Sequence, residues 1–489
     1  MGYDAAIIGA GAEGLAAAAL LARFGARTIV IERAERVGGR LATLEFHPGF
    51  RASLYADELP PVPAHIHWAL DISRRGAIFM PLHRSLAIWP DVTSEIDLRS
   101  DALSARMLRR CADAAALGVA RAMEPKRRSP MHFAFYPGRS SSAAWPQAEP
   151  ATEQLADLIE QSVDNPRDAA HLAAIVLAGR AGDPFREGSA AHLLAPGLGS
   201  GGIVVGGHAR LAEALLDAAK TFGAEIALGL EASEIRRVSR KNLQIVLADG
   251  SAHEARAVIS TLDVKQTFLS LFPWNILPRP LIESAGRFRF AGAMARVLFA
   301  LARQPEHATP ETLRVPVHVQ PDMDGFAAAH AAWRAGSMSA RAQAVLRVPS
   351  ALDPSLAPPG AAVMTVTLGS VPFRLFDGAW THERRAGLRG RALDAAESVW
   401  PGVSATVLGA EVIVPGDIEE ALGASEGDLD GGEIAPDQLF ELRPWPECPR
   451  TPIEGLYLGG RSASASLLGT CAAGAAAAQC VLADFRRLA

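Results

Sequence analysis

Gly9-Ala10-Gly11-Ala12-Glu13-Gly14 stands between the apolar run Tyr3–Ile8 and the alanine-rich stretch Leu15–Phe24, and its reading decides the fold. A G-x-G-x-x-G turn directly after a strand and directly before a helix suits a bound pyrophosphate. The first glycine permits the tight turn, the second lets backbone approach the anion, and the third lets the helix pack on the strand, while the helix N-terminus attracts negative charge. By itself the pattern is weak, because a glycine-rich packing turn looks similar. Gly25 stops the expected helix, and a second strand follows over Thr28–Glu32. Glu32 falls where an acidic side chain accepts hydrogen bonds from an adenosine ribose; the spacing from the glycine turn favours this over a merely solvated carboxylate. A carboxylate there repels a 2′-phosphate, which disfavours NADP.

Beyond Glu32 come Arg33 and then Arg36-Val37-Gly38-Gly39-Arg40, where paired glycines admit close backbone approach and arginines neutralise phosphate. Glu-Arg-x-x-x-x-Gly-Gly-Arg after such a start resembles the FAD site shared by flavin amine oxidases and phytoene-desaturase-like oxidoreductases. Three more stretches sharpen the resemblance towards the phytoene-desaturase-like branch, which includes pyridine nucleotide-disulphide oxidoreductase domain-containing proteins. They are Gly206–Leu215 with Gly223–Ile226 and Ala257–Ser260, Gly416–Glu420 with Asp437–Phe440 and Leu442–Pro444, and Ile453–Gly460. Pro48–Ser53 is similar as well, whereas residues 60–195 match poorly.

The resemblance implies an α/β chain with a discontinuous Rossmann-type FAD domain of the glutathione-reductase-like superfamily, drawn from residues 1–60, 200–275 and 430–489. Residues 61–199 and 276–429 would form an inserted mixed α+β substrate domain. FAD contacts are implied at Gly9, Gly11, Ala12, Glu13, Gly14, Glu32, Arg33, Gly38, Gly39 and Arg40. Backbone at Ala232 is implied on the adenine side, with Gly460, Arg461, Leu468, Gly469 and Thr470 near the pyrophosphate, ribityl chain and flavin. Two departures stand out. Ser464–Leu468 replaces a His-Pro-Gly-Gly-Gly run of many relatives, and Arg461 stands where amine oxidases usually carry Glu, with no aromatic pair following to cage an amine.

Local patterning predicts a helix over Ala209–Phe222, a strand over Glu225–Leu228, and a hairpin from Leu243–Val246 through Asp249-Gly250 to Ala257–Ser260. Strands are expected at Ala295–Leu301, Ala362–Leu368 and Leu456–Leu458, and a final helix from about Cys471 to Phe485. Residues from about 60 to 199 read as inserted helix and loop.

No second G-x-G-x-x-G joins a strand to a helix, so electrons from reduced flavin are expected to pass to oxygen, a quinone or another acceptor. Hydride removal to flavin depends on placing a C–H bond against the ring and requires no fixed acid–base pair. His47, Arg51 and Tyr55, just after the glycine loop, are the catalytic candidates, with packing or solvent exposure an equal reading. His65-x-His67 lacks further ligands, so no metal is expected.

The 489 residues suit two interleaved domains. With 49% hydrophobic and 21% charged residues the composition is that of an ordinary globular protein, and a net charge of −5 argues against a nucleic-acid binder. Only four of the 48 basic side chains are Lys (Lys126, Lys220, Lys241, Lys265), a bias without functional weight. Cys111, Cys448, Cys471 and Cys480 form no C-x-x-C pair, so a reducing compartment is expected. A secretory signal, a myristoylation site and a spanning helix are not expected. The expectation is a cytoplasmic protein, with peripheral membrane contact through the run Lys126–Arg128 as a minority reading. The leading function is FAD-dependent chemistry at C–C bonds of an apolar or amphipathic substrate, by desaturation, saturation or isomerisation; the alternatives are C–N oxidation and a non-catalytic FAD protein serving binding or assembly.

Overall fold

The computed structural model describes residues 2–98, 152–195, 198, 201–239, 241–273, 275–341, 343–445 and 448–488. Cys111, the basic run Lys126–Arg128 and much of the segment 60–199 lie outside these.

Two seven-stranded sheets organise the chain. In the first, Tyr3–Ile8 lies between the parallel strands Thr28–Ile31 and Ala252–Ser260. Glu225–Ala227 extends it on one side and Leu456–Leu458 on the other, both parallel. The antiparallel hairpin Ala232–Arg237 and Leu243–Leu247 joins the first half of Ala252–Ser260. Ile8 pairs with both Ile31 and Ser260, and Ser260 pairs with Leu458, so four carboxyl ends lie in one row. Tyr3–Ile8 is apolar on both faces because both are covered: Ala5 and Ile7 enter one core, Ala6 and Ile8 another.

Helices Ala12–Arg23, Ala209–Thr221 and Ala472–Leu488 share the core with Ala5 and Ile7. Alanine dominates their buried faces, and small side chains let the axes approach closely. A Cβ on Gly474 would lie 1.9 Å from the carbonyl oxygen of Glu13. The first helix starts at Ala12, inside the glycine motif and earlier than the Leu15 expected from apolar periodicity.

The second sheet runs Val407–Ile413, Ala295–Leu301, Ala362–Leu368, Ala344–Arg347, Val317–Val319, Arg84–Ile88, Thr93–Asp97. One face packs Val297, Phe299, Met364 and Val366 on helix His382–Val399. The other packs Leu298, Ala300 and Val363 on Phe50, Ala52 and Tyr55, which come from just after the glycine loop. The reading of residues 60–199 as helix and loop is corrected here: Phe79–Pro81, Arg84–Ile88 and Thr93–Asp97 are strands. These are short strands with exposed residues (Pro81, Arg84, Thr93, Glu95), so their alternation is weak in sequence; Arg84–Ile88 joins the second sheet beside Val317–Val319, and Thr93–Asp97 pairs with Arg84–Ile88 at its edge. No helix among the described residues is long and apolar enough to cross a membrane.

Candidate functional site

The row of carboxyl ends in the first sheet opens on a cavity of 580 Å³. Gly9 makes the turn at φ +100°, where a Cβ would lie 2.3 Å from Thr261 Oγ1. Gly14 sits so close beneath the turn that a Cβ would lie 1.9 Å from the Gly9 carbonyl oxygen. Gly11 differs, since a Cβ there would meet no atom within 4 Å. Gly11 is also the N-cap of helix Ala12–Arg23 and supplies no side-chain cap, so the first-turn amides remain available to an anion in the cavity.

Glu32 lines the cavity and staples its rim: Oε2 accepts the Ala10 N–H at 2.7 Å and Oε1 the Ala34 N–H at 2.9 Å. Gly38 N–H donates to Ala10 O at 2.9 Å, which lays the Gly38-Gly39 pair beside the glycine turn. Arg40 and Arg461 both line the cavity. Arg40 Nη2 and Arg461 Nη1 are buried without a hydrogen-bond partner. Burial, and then the nearby Arg461 charge, pulls the Arg40 guanidinium down to about 9. Two adjacent cations with buried, unpaired N–H groups are costly unless an anion satisfies them. An open Gly11, a free helix terminus, Glu32 and these two guanidiniums together fit the pyrophosphate and ribose of a dinucleotide.

Other residues singled out from sequence fall in different places. Ala12 and Ala232 line the cavity. Arg33 lines it too, but its Nη2 is engaged with the Glu420 and Ala421 carbonyls at 2.8 Å, at the end of helix Pro415–Leu422. Glu13 also borders it while its carboxylate accepts N–H groups from Cys471 (3.1 Å) and Gly474 (3.0 Å), capping the last helix. Gly460 is a packing position, where a Cβ would lie 2.3 Å from Thr261 O. Leu468, Gly469 and Thr470 do not line the cavity; Thr470 Oγ1 donates to Pro60 O at 2.7 Å, and Leu468 is 38% exposed. The turn Ser464–Leu468 directs them there, with the Ser466 hydroxyl tied to Arg461 O at 2.7 Å. Of the catalytic candidates, His47 packs on Phe50 and beside Gly409, Arg51 is exposed, and Tyr55 alone reaches the cavity.

Sequence reasoning missed Thr261-Leu262-Asp263 and Ala421–Ala424 in the same wall. The first trio directly follows a strand end, a signal that was available. It also missed Asp428, Leu429 and Asp430, whose Asp-Leu-Asp-Gly-Gly setting carries no known spacing.

A second cavity of 270 Å³ adjoins the first and shares Arg40, Tyr55, Asp428, Leu429 and Arg461 with it. Its wall includes Leu82, Ile175, Met294 and Val345, with Asp57 and Arg296 paired at 2.6 Å and only 7% and 1% exposed. Burial works to raise Asp57, and Arg296 overcomes it, leaving the carboxyl below its ordinary range. Asp428 accepts N–H groups from Ala291 and Asp430, both at 2.8 Å. Burial and the Asp430 charge push it up to about 6. Burial opposes ionisation of Asp430 too, but Arg180, at 2.8 Å, with Arg461 and Arg443 overcomes it and holds that carboxyl well below the usual range.

The family model described as flavin containing amine oxidoreductase matches residues 14–386. Pyridine nucleotide-disulfide oxidoreductase domain-containing protein 2 of Rattus norvegicus is 27% identical over 99% of this chain and 94% of its own length. The phytoene desaturase (lycopene-forming) of Pseudescherichia vulneris is 23% identical over 58% of this chain and 56% of its own. Cyclohexylamine oxidase from Brevibacterium oxydans superposes with a TM-score of 0.62 at 15% identity over the whole of both chains, a likeness of mixed α/β fold. The family match covers most of the chain and begins within the glycine turn itself: the chain belongs to the flavin containing amine oxidoreductase family.

Proposed function

We propose that this chain, an FAD-dependent oxidoreductase by family, acts on C–C bonds of an amphipathic small molecule, by desaturation, saturation or isomerisation. The carrying observation is the junction of the two cavities at Arg40, Tyr55, Asp428, Leu429 and Arg461. A substrate in the smaller cavity would meet the cofactor across those five residues. Bound FAD supplies a hydride acceptor, and the protein supplies placement. Gly9, Gly11 and Gly14 bring backbone and a helix terminus to the pyrophosphate, Arg40 and Arg461 offer it their unpaired N–H groups, Glu32 takes the ribose, and backbone near Ala232 borders the adenine. In this reading the first sheet is a Rossmann-type FAD domain assembled from residues 1–60, 200–275 and 430–489, with the rest a substrate domain. The strand order and the parallel row of carboxyl ends support it.

Reaction at C–C bonds is favoured over C–N oxidation by the lining. Among the described lining residues of the smaller cavity Tyr55 is the sole Phe, Tyr or Trp, so no aromatic pair is at hand to cage an amine. Its apolar wall and buried ion pairs suit an amphipathic molecule. Electrons would leave to oxygen or a quinone.

The test is anaerobic titration of the purified yellow protein. Bleaching by an amphipathic alkane or alkene derivative supports desaturation, and reoxidation of the dithionite-reduced flavin by an alkene derivative, or isomerisation of that compound, supports the other two reactions. Bleaching by amines alone, with peroxide released in air, replaces it with C–N oxidation, and a flavin that only dithionite reduces and that, once reduced, neither passes its electrons to an alkene derivative nor isomerises one replaces it with a non-catalytic binding or assembly role.

A further inference from the structure

A row of hydrogen-bonded side chains leads from the smaller cavity through the edge of the second sheet. Ser85 lines that cavity, stands on strand Arg84–Ile88 and is 3% exposed. Its Oγ lies 3.0 Å from Nε2 of His171, a fully buried ring on helix Pro166–Val176. Nδ1 of the same ring lies 3.0 Å from Oγ of Ser94 on the neighbouring strand Thr93–Asp97, and that hydroxyl donates to Asp168 Oδ1 at 2.6 Å. Asp168 stands one helical turn before His171 and is half-buried, so its carboxylate exchanges protons with water. Nδ1 of His318, 4% exposed and in the wall of the same cavity, is buried without a hydrogen-bond partner, a polar atom left for an occupant.

The directions of these bonds follow from the acceptor at the end. A carboxylate only accepts, so Ser94 gives its one proton to Asp168 and accepts from the ring at Nδ1. Burial pulls His171 down to about 3, so the ring is neutral and its single proton sits on Nδ1. Nε2 keeps a lone pair, and the Ser85 hydroxyl donates to it. Ser85 is thereby a hydroxyl backed by a base, at the wall of the cavity.

We propose that Ser85 is a catalytic residue that takes a proton from the substrate carbon next to the one that gives up hydride, and that His171, Ser94 and Asp168 are positioning residues that pass a proton on towards solvent. It rests on the function proposed above. Hydride removal needs no base, but desaturation removes a second hydrogen as a proton, and the electron pair of that C–H bond becomes the C=C bond. As Ser85 Oγ takes this proton, the Ser85 proton passes to His171 Nε2, the Nδ1 proton to Ser94, and the Ser94 proton to Asp168 Oδ1. No imidazolium persists in the buried ring, whose charged form burial disfavours. Saturation runs the same transfers in reverse.

Treating the flavin-loaded protein with phenylmethanesulfonyl fluoride tests the wiring without a known substrate, because this reagent modifies a serine whose hydroxyl is drawn on by a base. The Ser85 oxygen bonds to sulfur, fluoride leaves, and the Ser85 proton passes to His171. Peptide mass spectrometry is expected to find the sulfonyl group on Ser85, and Asp168→Asn to slow its appearance about a hundredfold. The Asn amide oxygen still accepts the Ser94 O–H, so this variant keeps the structural bond and loses only the proton acceptor. NMR of isotope-labelled histidines is expected to show His171 as the neutral Nδ1–H tautomer. An unmodified Ser85, a rate in Asp168→Asn equal to wild type, or an Nε2–H tautomer overturns the proposal. A modified Ser85 in a protein whose flavin no amphiphile reduces or reoxidises supports the wiring and sinks the function above, whereas an unreactive Ser85 in a protein that turns amphiphiles over sinks this inference alone.

Discussion

A side chain added at Gly11 meets open space, whereas one added at Gly14 lies 1.9 Å from the Gly9 carbonyl oxygen. The two glycines therefore separate binding from folding. Gly11→Asp is expected to leave the thermal midpoint of the flavin-free protein within a few degrees of wild type while abolishing flavin content, because a carboxylate would occupy the anion's place. Gly14→Ala is expected to cost about 1–3 kcal/mol or more in chemical denaturation, since backbone has to move. Asp428 makes a pH prediction. Its folded-state carboxyl is raised from 3.8 to about 6, so the fold favours the neutral form. That contribution is complete below the unfolded value and is lost as pH rises through about 6. Asp428→Asn should thus gain stability relative to wild type as pH climbs from about 4 to about 7, measured as the difference in Tm across that range. A difference that stays flat would show that Asp428 ionises freely in the fold.

Between elements, Asp57 and Arg296 join the segment after strand Phe50–Ser53 to strand Ala295–Leu301, second from one edge of the second sheet. Arg296 also donates to Thr367 Oγ1 at 3.1 Å and Ser53 O at 3.3 Å. Removing one partner strands a buried charge, so Asp57→Ala should destabilise by about 3–5 kcal/mol in urea unfolding. The Asp57→Ala/Arg296→Met double variant should recover much of that loss, which separates an uncompensated charge from lost packing. At this scale the sequence was most legible where periodicity is local. Ala295–Leu301, Ala362–Leu368 and Leu456–Leu458 occur as strands with the expected bounds. Continuous β-branched and leucine runs signal strands covered on both sides. The strands between residues 79 and 97 were not legible, since each is three to five residues long: Phe79–Pro81 and Arg84–Ile88 take partners far along the chain, and Thr93–Asp97 is an edge strand that pairs with Arg84–Ile88.

For the molecule as a whole, bound FAD should act as a folding ligand because its site is assembled from distant segments. Flavin removal is expected to lower Tm, and restoring free FAD to about 100 times its Kd should return about 2.7 kcal/mol. Gly11→Asp should show no such response in a thermal melt with added FAD; a full response would place the cofactor elsewhere. What the sequence by itself determined is the strand, glycine turn and helix at the start: glycine spacing, a strand before it, a helix after it, and Glu32 just past the next strand all lie within 32 residues and depend on backbone sterics that act locally. The family resemblance extended this to the cofactor. Only the tertiary structure decided which side chains meet. Arg40 and Arg461 are over 400 residues apart in sequence, and Arg180 finds Asp430 across 250, so no period or spacing announces either meeting. It also decided which candidates do not meet, turning Leu468 to solvent and His47 onto Phe50. Local backbone preference writes a turn into neighbouring residues, whereas charge clusters and cavities arise from the packing of two sheets that short-range patterns do not encode.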